Sequence, residues 1–196
     1  MNDAARPKII TIAGPNWAGK STLAPTLIRD TYGLMEYVNA DSIALGLSAF
    51  NPESMAFESG RIMLKRLHDL ARQHADFAFE TTLSSRSFAG WISTLRRQDY
   101  EFHLIFLWLR SVELAIRRVD ERVQIGGHNI PEDVIRRRYV KGVRNFFGLY
   151  QSLADTWGIY DNAEAGAPSQ IAISNKVGDI EVPDQALWQK FREIAG

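Results

Sequence analysis

A glycine-rich segment near the N-terminus constrains this 196-residue chain more than any other feature. It reads GPNWAGKST from Gly14 to Thr22 and follows the apolar run of residues 9–13. It satisfies the phosphate-loop pattern G-x-x-x-x-G-K-S/T at every fixed position, and a segment of helical character follows it. Glycines in this context let successive backbone N–H groups turn toward an anion, and the helix adds its positive end. The segment therefore predicts a nucleotide triphosphate site.

Two residues of this loop have specific chemical tasks. Lys20 is expected to reach the terminal phosphates, and Ser21 is expected to offer its hydroxyl to Mg²⁺. The residues expected to bind the nucleotide are those of the whole loop, namely Gly14, Pro15, Asn16, Trp17, Ala18, Gly19, Lys20, Ser21 and Thr22. The sequence thus predicts ATP and Mg²⁺ as cofactors.

Short apolar segments alternate with segments of helical periodicity along the rest of the chain. The predicted strands cover residues 8–13, 35–39, 76–79, 102–109 and 170–174, and the predicted helices begin near residues 19, 51, 86, 111, 131 and 184. Such alternation is typical of a parallel sheet covered by helices on both faces. We therefore expect one α/β domain over residues 1–196, a three-layer phosphate-loop NTPase fold of the small-molecule kinase type with about five parallel strands and a helical lid.

The composition narrows the partners and the compartment. Lys plus Arg and Asp plus Glu are equal at 23 each, so the overall charge does not favour nucleic acid or an anionic membrane. The chain has no cysteine, which excludes a disulfide framework, a thiol nucleophile and a cysteine zinc site. No apolar run approaches the length of a membrane span. We expect a cytoplasmic protein that acts on a small molecule.

Two carboxylates follow predicted strands, at the edge where parallel sheets bind ligands. Asp41 comes after the second strand and Glu80 after the third. The longest apolar strand ends in Arg110 without an acid, unlike the strands of motor-type ATPases and GTPases, and this favours a kinase. Asp41 is predicted to take the proton of an acceptor hydroxyl, with a helix cap as the alternative. Glu80 has several interpretations: acceptor binding, tuning of Asp41, holding metal-bound water, or a buried carboxylate bonded to the backbone.

Arginines in the predicted lid, about residues 117–138, supply positive charge. Arg118 and Arg122 lie one helical turn apart, a like-charge spacing that suggests an anion between them. Arg138 has no acidic residue one turn away. Phosphoryl transfer gathers negative charge on the γ-phosphate, so we expect these arginines to bind it, with Gly126-Gly127 as the hinge of the lid. A solvated face or a nucleic-acid patch is the alternative for this basic set.

These segments together resemble the zeta-toxin-like family of small phosphate-loop kinases. The resemblance rests on GPNWAGKST, VNADSIA, FETTLS, RVDERVQIGGHNIP and RRRY, and extends from Lys8 to Asn175. Family members related to the zeta toxins phosphorylate the sugar 3′-hydroxyl of UDP-N-acetylglucosamine with ATP. The chain departs from the family at Trp17, where a glycine is usual, and this leaves the effect of the indole on turnover open.

The resemblance also implies roles for individual residues. Asp41 would be the general base, Glu80 and Thr82 would belong to the sugar-nucleotide site, and the lid arginines Arg118 and Arg122 would bind the ATP phosphates. The phosphate-loop lysine completes the catalytic set.

We therefore expect an ATP-dependent phosphotransferase whose acceptor is UDP-N-acetylglucosamine or a related sugar nucleotide. The residues expected to bind the acceptor are Asp41, Glu80, Thr81, Thr82, Arg61 and Arg86, and Arg138 is expected to join the ATP site. Two alternatives remain open from the sequence. One is a kinase of another small metabolite, a nucleoside or a nucleic-acid end, and the other is a nucleotide-binding module with little catalysis that pairs with a protein antitoxin.

Overall fold

The computed structural model of the protein describes residues 6–124, 129–164, 166–175 and 179–196. Its strands are β1 (Lys8–Ala13), β2 (Tyr37–Val38), β3 (Phe77–Thr81), β4 (Glu101–Trp108), β5 (Thr156–Asp161), β6 (Ser169–Ser174) and β7 (Ile180–Glu181). Its α-helices are α1 (Lys20–Ala24), α2 (Ala40–Leu47), α3 (Ala56–Arg72), α4 (Ser87–Arg96), α5 (Val112–Gln124), α6 (Glu132–Asn145) and α7 (Gln185–Ala195). The π-helical segments Pro25–Thr31 and Phe146–Tyr150 continue α1 and α6, and the 3₁₀ turn Pro52–Met55 leads into α3.

These strands form one sheet in the order β2-β3-β1-β4-β5-β6-β7. The first five strands in that order are parallel, and β6 runs antiparallel to both of its neighbours, β5 and β7. The α/β fold and its five parallel strands are confirmed, but the membership differs from the prediction. The prediction missed β5 and took the antiparallel β6 for a parallel strand. Gly158 in the middle of β5 and Asp161 at its end disfavour a strand, although the other four residues of the segment favour one.

The sheet has an apolar layer on each face. Along β4, Phe102, Leu104 and Phe106 join the core under α3, α4, α6 and α7. Ile105 and Leu107 alternate with them and join the core under α1 and α5. Successive side chains of a strand point to opposite faces, so a continuous apolar strand is buried on both of them. The predicted three-layer arrangement is confirmed.

Two predicted helices are interrupted in the structure. The first α-helix ends at Ala24, and a π-helical segment begins at Pro25, because proline has no N–H and its ring disrupts the preceding turn. The long helix predicted to start near residue 131 is α-helical only to Asn145. The predicted hinge Gly126-Gly127 lies outside the described residues. Within the described ranges, no helix combines the length and apolar character needed to cross a membrane.

Helix α6 is fixed to the carboxyl end of β4 by a buried tyrosine. The Tyr139 hydroxyl accepts a hydrogen bond from Trp108 Nε1 at 2.8 Å and donates one to the Leu109 carbonyl oxygen at 2.6 Å. Tyr139 is 5% exposed, so these bonds form away from water, where leaving them unmade is costly. They fix the part of α6 that carries Arg138 to the carboxyl end of β4.

Close packing of α6 on the loop after β3 gives a stability prediction. A Cβ on Gly142 would lie 2.6 Å from the Thr82 carbonyl oxygen, whereas a Cβ on Gly60 in α3 would meet no atom within 4 Å. We expect Gly142→Ala to lower the free energy of unfolding by about 1–3 kcal/mol through overpacking. Gly60→Ala, the matched control, should raise it by about 0.5–1 kcal/mol because alanine is the better helix former. Chemical denaturation measures both, and equal effects would contradict the close approach.

Candidate active site

The phosphate loop leaves β1 at the carboxyl edge of the sheet and lies against two neighbouring segments. Gly14 has φ 144°, and a Cβ there would lie 2.1 Å from the Leu107 carbonyl oxygen of β4. Gly19, with φ 85°, precedes α1. Asn162, directly after β5, donates from Nδ2 to the Ala18 carbonyl oxygen at 2.8 Å. The two glycines of the motif therefore occupy positions that a side chain would strain or block.

Lys20 is buried inside the loop that carries it. Its Nζ donates to the carbonyl oxygens of Gly14 at 3.2 Å and Pro15 at 2.8 Å, and lies 4.0 Å from Glu80 Oε1. Burial lowers the pKa of the ammonium, while the charges of Glu80 and Asp41 act to raise it and that of Arg138 to lower it. Lys20 is thus the centre of a cluster that contains two acids and an arginine.

Glu80 at the end of β3 is the acceptor for several converging donors. Ser21 Oγ lies 2.9 Å and 3.1 Å from its two carboxylate oxygens, and Asn39 Nδ2 donates to it at 3.0 Å. The Tyr37 hydroxyl also donates to it. Burial, and then the charge of Glu80, raises the pKa of Tyr37, so the phenol keeps its proton and remains a donor. The carboxylate is 9% exposed and lies beside the hydroxyl that the phosphate-loop motif assigns to Mg²⁺.

Asp41 lies in the first turn of α2 with its side chain exposed. The helix cap is Asn39, whose Oδ1 accepts from the backbone N–H of Asp41 at 2.7 Å and of Ser42 at 3.3 Å. The capping interpretation of Asp41 is therefore wrong, because Asn39 fills that role. The negative charge of Asp41 acts to raise the pKa of both Lys20 and Arg138.

The arginines of α5 contact the phosphate loop at a single residue. Arg118 donates to the Trp17 carbonyl oxygen at 3.4 Å and to the Ala163 carbonyl oxygen at 3.0 Å. The guanidinium carbon of Arg122 lies 5.2 Å from the centroid of the Trp17 ring. The structure thus shows Arg118 and Arg122 in direct contact with the phosphate loop through Trp17.

Arg138 approaches the same cluster from α6. It is half-buried, and burial lowers the pKa of its guanidinium while the charge of Asp41 acts to raise it. The charge of Arg138 also acts to lower the pKa of Lys20. Two arginines of α5 therefore contact the anion-binding loop, and the charge of a third, from α6, acts on the lysine of that loop.

The other predicted acceptor residues lie around this cluster rather than in it. Thr81 Oγ1 accepts from the Leu83 N–H at 3.1 Å, and Thr82 Oγ1 lies 2.9 Å from Ser84 Oγ, so both hydroxyls shape the turn after β3. Arg61 is on α3, where it pairs with Glu58 at 3.0 Å. Arg86 is exposed at the start of α4. Within the described part of the chain, neither arginine hydrogen-bonds to the Lys20–Glu80 cluster.

Three residues of the site have roles that sequence reasoning did not assign. Asn39 is the last residue of the predicted second strand and the first residue after β2 in the structure. Its double role as the cap of α2 and a donor to Glu80 depends on side-chain geometry, which the sequence does not show. Tyr37 belongs to a two-residue strand that is too short to have a period. Asn162 follows β5, which was missed. Because β5 was not predicted, the contact of Asn162 with the phosphate loop could not be predicted either.

Sequence comparison gives one informative relative. No protein-family model matches the chain. An uncharacterized protein of Haemophilus influenzae is 32% identical over 132 residues, which cover 67% of this chain and 92% of that protein. Identity at this level over most of the relative shows common family membership.

Comparison with solved structures concerns the fold. A crystal structure of AvrRxo1-ORF1:ORF2 with ATP superposes with a TM-score of 0.74 at 18% identity, covering 96% of this chain and 64% of that chain. A structure of the PezAT chromosomal toxin–antitoxin system of Streptococcus pneumoniae superposes with a TM-score of 0.61 at 16% identity, covering 97% and 86%. This chain thus spans less than two thirds of the AvrRxo1 chain. It belongs to one family with the Haemophilus influenzae protein, and it shares its fold with the AvrRxo1 and PezAT structures.

Proposed function

We propose that this protein is an ATP-dependent phosphotransferase that moves the γ-phosphate to a hydroxyl of a small acceptor. The observation that carries the proposal is the cluster at the carboxyl edge of the sheet. There Ser21 hydrogen-bonds Glu80 beside Lys20, and Asp41 acts on the same lysine from α2. Phosphoryl transfer needs little covalent chemistry from the protein and depends on positioning and charge stabilisation. This cluster offers both.

Ser21 and Glu80 are the residues that would hold Mg²⁺. Hydroxyl and carboxylate oxygens suit this ion, which takes one or two protein ligands together with phosphates and water. When bound, the ion would neutralise charge on the phosphates. The contact with Ser21 favours this role of Glu80 over the acceptor-binding role that the family resemblance implies.

The basic residues are proposed to stabilise the charge of the transferred group. Lys20 would exchange its hydrogen bonds to the loop carbonyl oxygens for hydrogen bonds to the terminal phosphates. The buried ammonium would then be paired with negatively charged oxygens, which bind it more strongly. Arg118 and Arg122 contact the loop from α5, and the charge of Arg138 on α6 acts on Lys20. Their guanidinium groups would meet the γ-phosphate oxygens as negative charge gathers there.

Asp41 is proposed to activate the acceptor hydroxyl. Its exposed carboxylate is free of the capping task, and its negative charge acts on Lys20. The acceptor is proposed to be UDP-N-acetylglucosamine or a related sugar nucleotide, with Thr81, Thr82, Arg61 and Arg86 near it. The support for this acceptor is the family resemblance alone.

Incubation with Mg-ATP and a metabolite extract, followed by mass spectrometry, tests the proposal. We expect one species to gain a single phosphate and calorimetry to detect Mg-ATP binding. A panel of UDP-N-acetylglucosamine, free sugars, nucleosides and nucleic-acid ends then identifies the acceptor class. ATP binding without phosphate gain in any acceptor would favour the nucleotide-binding module instead.

A protein partner is a second proposal, supported by two of the structural neighbours. AvrRxo1-ORF1 is seen in complex with ORF2, and PezAT is a toxin–antitoxin system. If this chain is likewise toxic and paired with an antitoxin, its expression alone should arrest bacterial growth, and Lys20→Met should relieve the arrest. Normal growth at full expression would contradict toxicity. It would not affect the kinase proposal, which the incubation with Mg-ATP and a metabolite extract tests.

A further inference from the structure

Trp17 occupies a backbone conformation that suits it poorly. Its φ is 58°, in the left-handed region where a Cβ crowds the following carbonyl group. The residue lies in the middle of the phosphate loop, between two glycines that relieve the same kind of strain without a side chain. Strain of this sort persists where the surrounding structure holds it, and it marks sites where a side chain has a task.

The surroundings of Trp17 indicate that task. Its indole is half-buried and packs against the apolar core under α1 and α5. The guanidinium of Arg122 lies over the ring at 5.2 Å from its centroid, within the range of about 6 Å for a cation–π contact. The ring, which is packed against the core, therefore offers Arg122 a contact surface on the loop.

The same residue also holds the neighbouring arginine. The Trp17 carbonyl oxygen accepts from Arg118 Nη1 at 3.4 Å, while Arg118 Nη2 donates to Ala163 at 3.0 Å. Two arginines one turn apart on a helix repel each other. The carbonyl group and the ring of one residue thus hold two like charges side by side, directly on the loop that would bind phosphate.

We propose that Trp17 is a positioning residue whose ring holds the guanidinium of Arg122 against the phosphate loop before the nucleotide binds. The inference rests on the proposed phosphotransferase function, and it assigns a role to the position where the chain departs from the family glycine. A guanidinium that is already in place needs no reorganisation when charge develops on the γ-phosphate. The effect is therefore expected in the rate of transfer more than in ATP affinity.

Three variants at this position separate the ring from the backbone strain. Trp17→Leu removes the ring and keeps a Cβ, and we expect it to lower kcat about fivefold with the Kd of Mg-ATP within about twofold. Trp17→Phe retains a ring and should recover most of the rate. Trp17→Gly relieves the strain but should be as slow as the leucine variant, which excludes strain as the cause.

A double-mutant cycle tests whether Trp17 acts through Arg122. In an Arg122→Gln background, Trp17→Leu should have no further effect on kcat, since the guanidinium that Trp17 positions is absent. Arg117→Gln, which removes a neighbouring exposed arginine of α5, should leave the rate unchanged and serves as the control. An equal loss from Trp17→Leu with and without Arg122 would overturn the inference.

A readout on the nucleotide-free protein keeps this inference distinct from the proposed function. The guanidinium ¹H–¹⁵N NMR signal of Arg122 should show a ring-current shift that Trp17→Leu abolishes and Trp17→Phe reduces. An Arg122 signal that is insensitive to Trp17→Leu would disprove the contact between the Arg122 guanidinium and the Trp17 ring. A wild-type protein that shows the ring-current shift but transfers no phosphate to any acceptor overturns the proposed function, and with it the catalytic part of the inference.

Discussion

Glu80→Gln is expected to lower phosphoryl transfer at least about a hundredfold and to raise the Mg²⁺ concentration needed for half-maximal rate. The carboxylate accepts from Ser21, Asn39 and Tyr37, all of which are donors. A glutamine amide would turn one of its own donors toward them and would remove the negative charge that a metal ion requires. Rates measured across a Mg²⁺ titration report both effects.

The same substitution should reduce stability by about 1–3 kcal/mol, because a buried donor loses its acceptor and Lys20 loses a nearby opposite charge. Glu36→Gln is the matched control. Glu36 pairs with Arg66 at 2.6 Å, but both side chains are 45% exposed, so the change should alter stability by less than about 1 kcal/mol and leave the rate intact. Unchanged Mg²⁺ dependence with weakened acceptor binding would contradict the metal role and return Glu80 to the acceptor site.

The sequence was sufficient to predict the edge of the sheet at which these residues meet. The phosphate-loop motif has a fixed local structure, and carboxyl ends of parallel strands share one edge, so Ser21, Glu80 and Asp41 were expected to be near one another. Their division of roles was not predictable. Whether Glu80 turns toward Ser21 or toward the acceptor depends on the side chains of Tyr37 and Asn39, which have no sequence period.

The second limit of the sequence was a strand with a mixed strand signal. Thr156–Asp161 contains four residues that favour strands, but its central glycine interrupts them and it follows the π-helical segment after α6, so no clear alternation marks a strand there. Its position is fixed by long-range pairing with β4, as in the register of His103 with Thr156. Asn162, which holds the phosphate loop, was missed for the same reason.

Asp41→Asn is expected to lower phosphoryl transfer at least about a hundredfold while Mg-ATP binds as tightly as before or more tightly. The amide cannot accept the proton of the acceptor hydroxyl. Removing a negative charge beside Lys20 and Arg138 also removes repulsion of the phosphates, so ATP affinity should not fall. Single-turnover transfer and calorimetry measure the two quantities separately.

The helix that carries Asp41 makes this a clean substitution. Asn39 caps α2, so the variant loses at most the interaction of one acid with the helix dipole, which costs about 1 kcal/mol or less. Asp69→Asn provides the matched control, because Asp69 is an acid of α3 paired with Lys65 at 3.2 Å. The control should transfer phosphate at the wild-type rate. Weakened ATP binding in Asp41→Asn with transfer unchanged would exclude the base role, since the carboxylate would then serve the nucleotide rather than the acceptor.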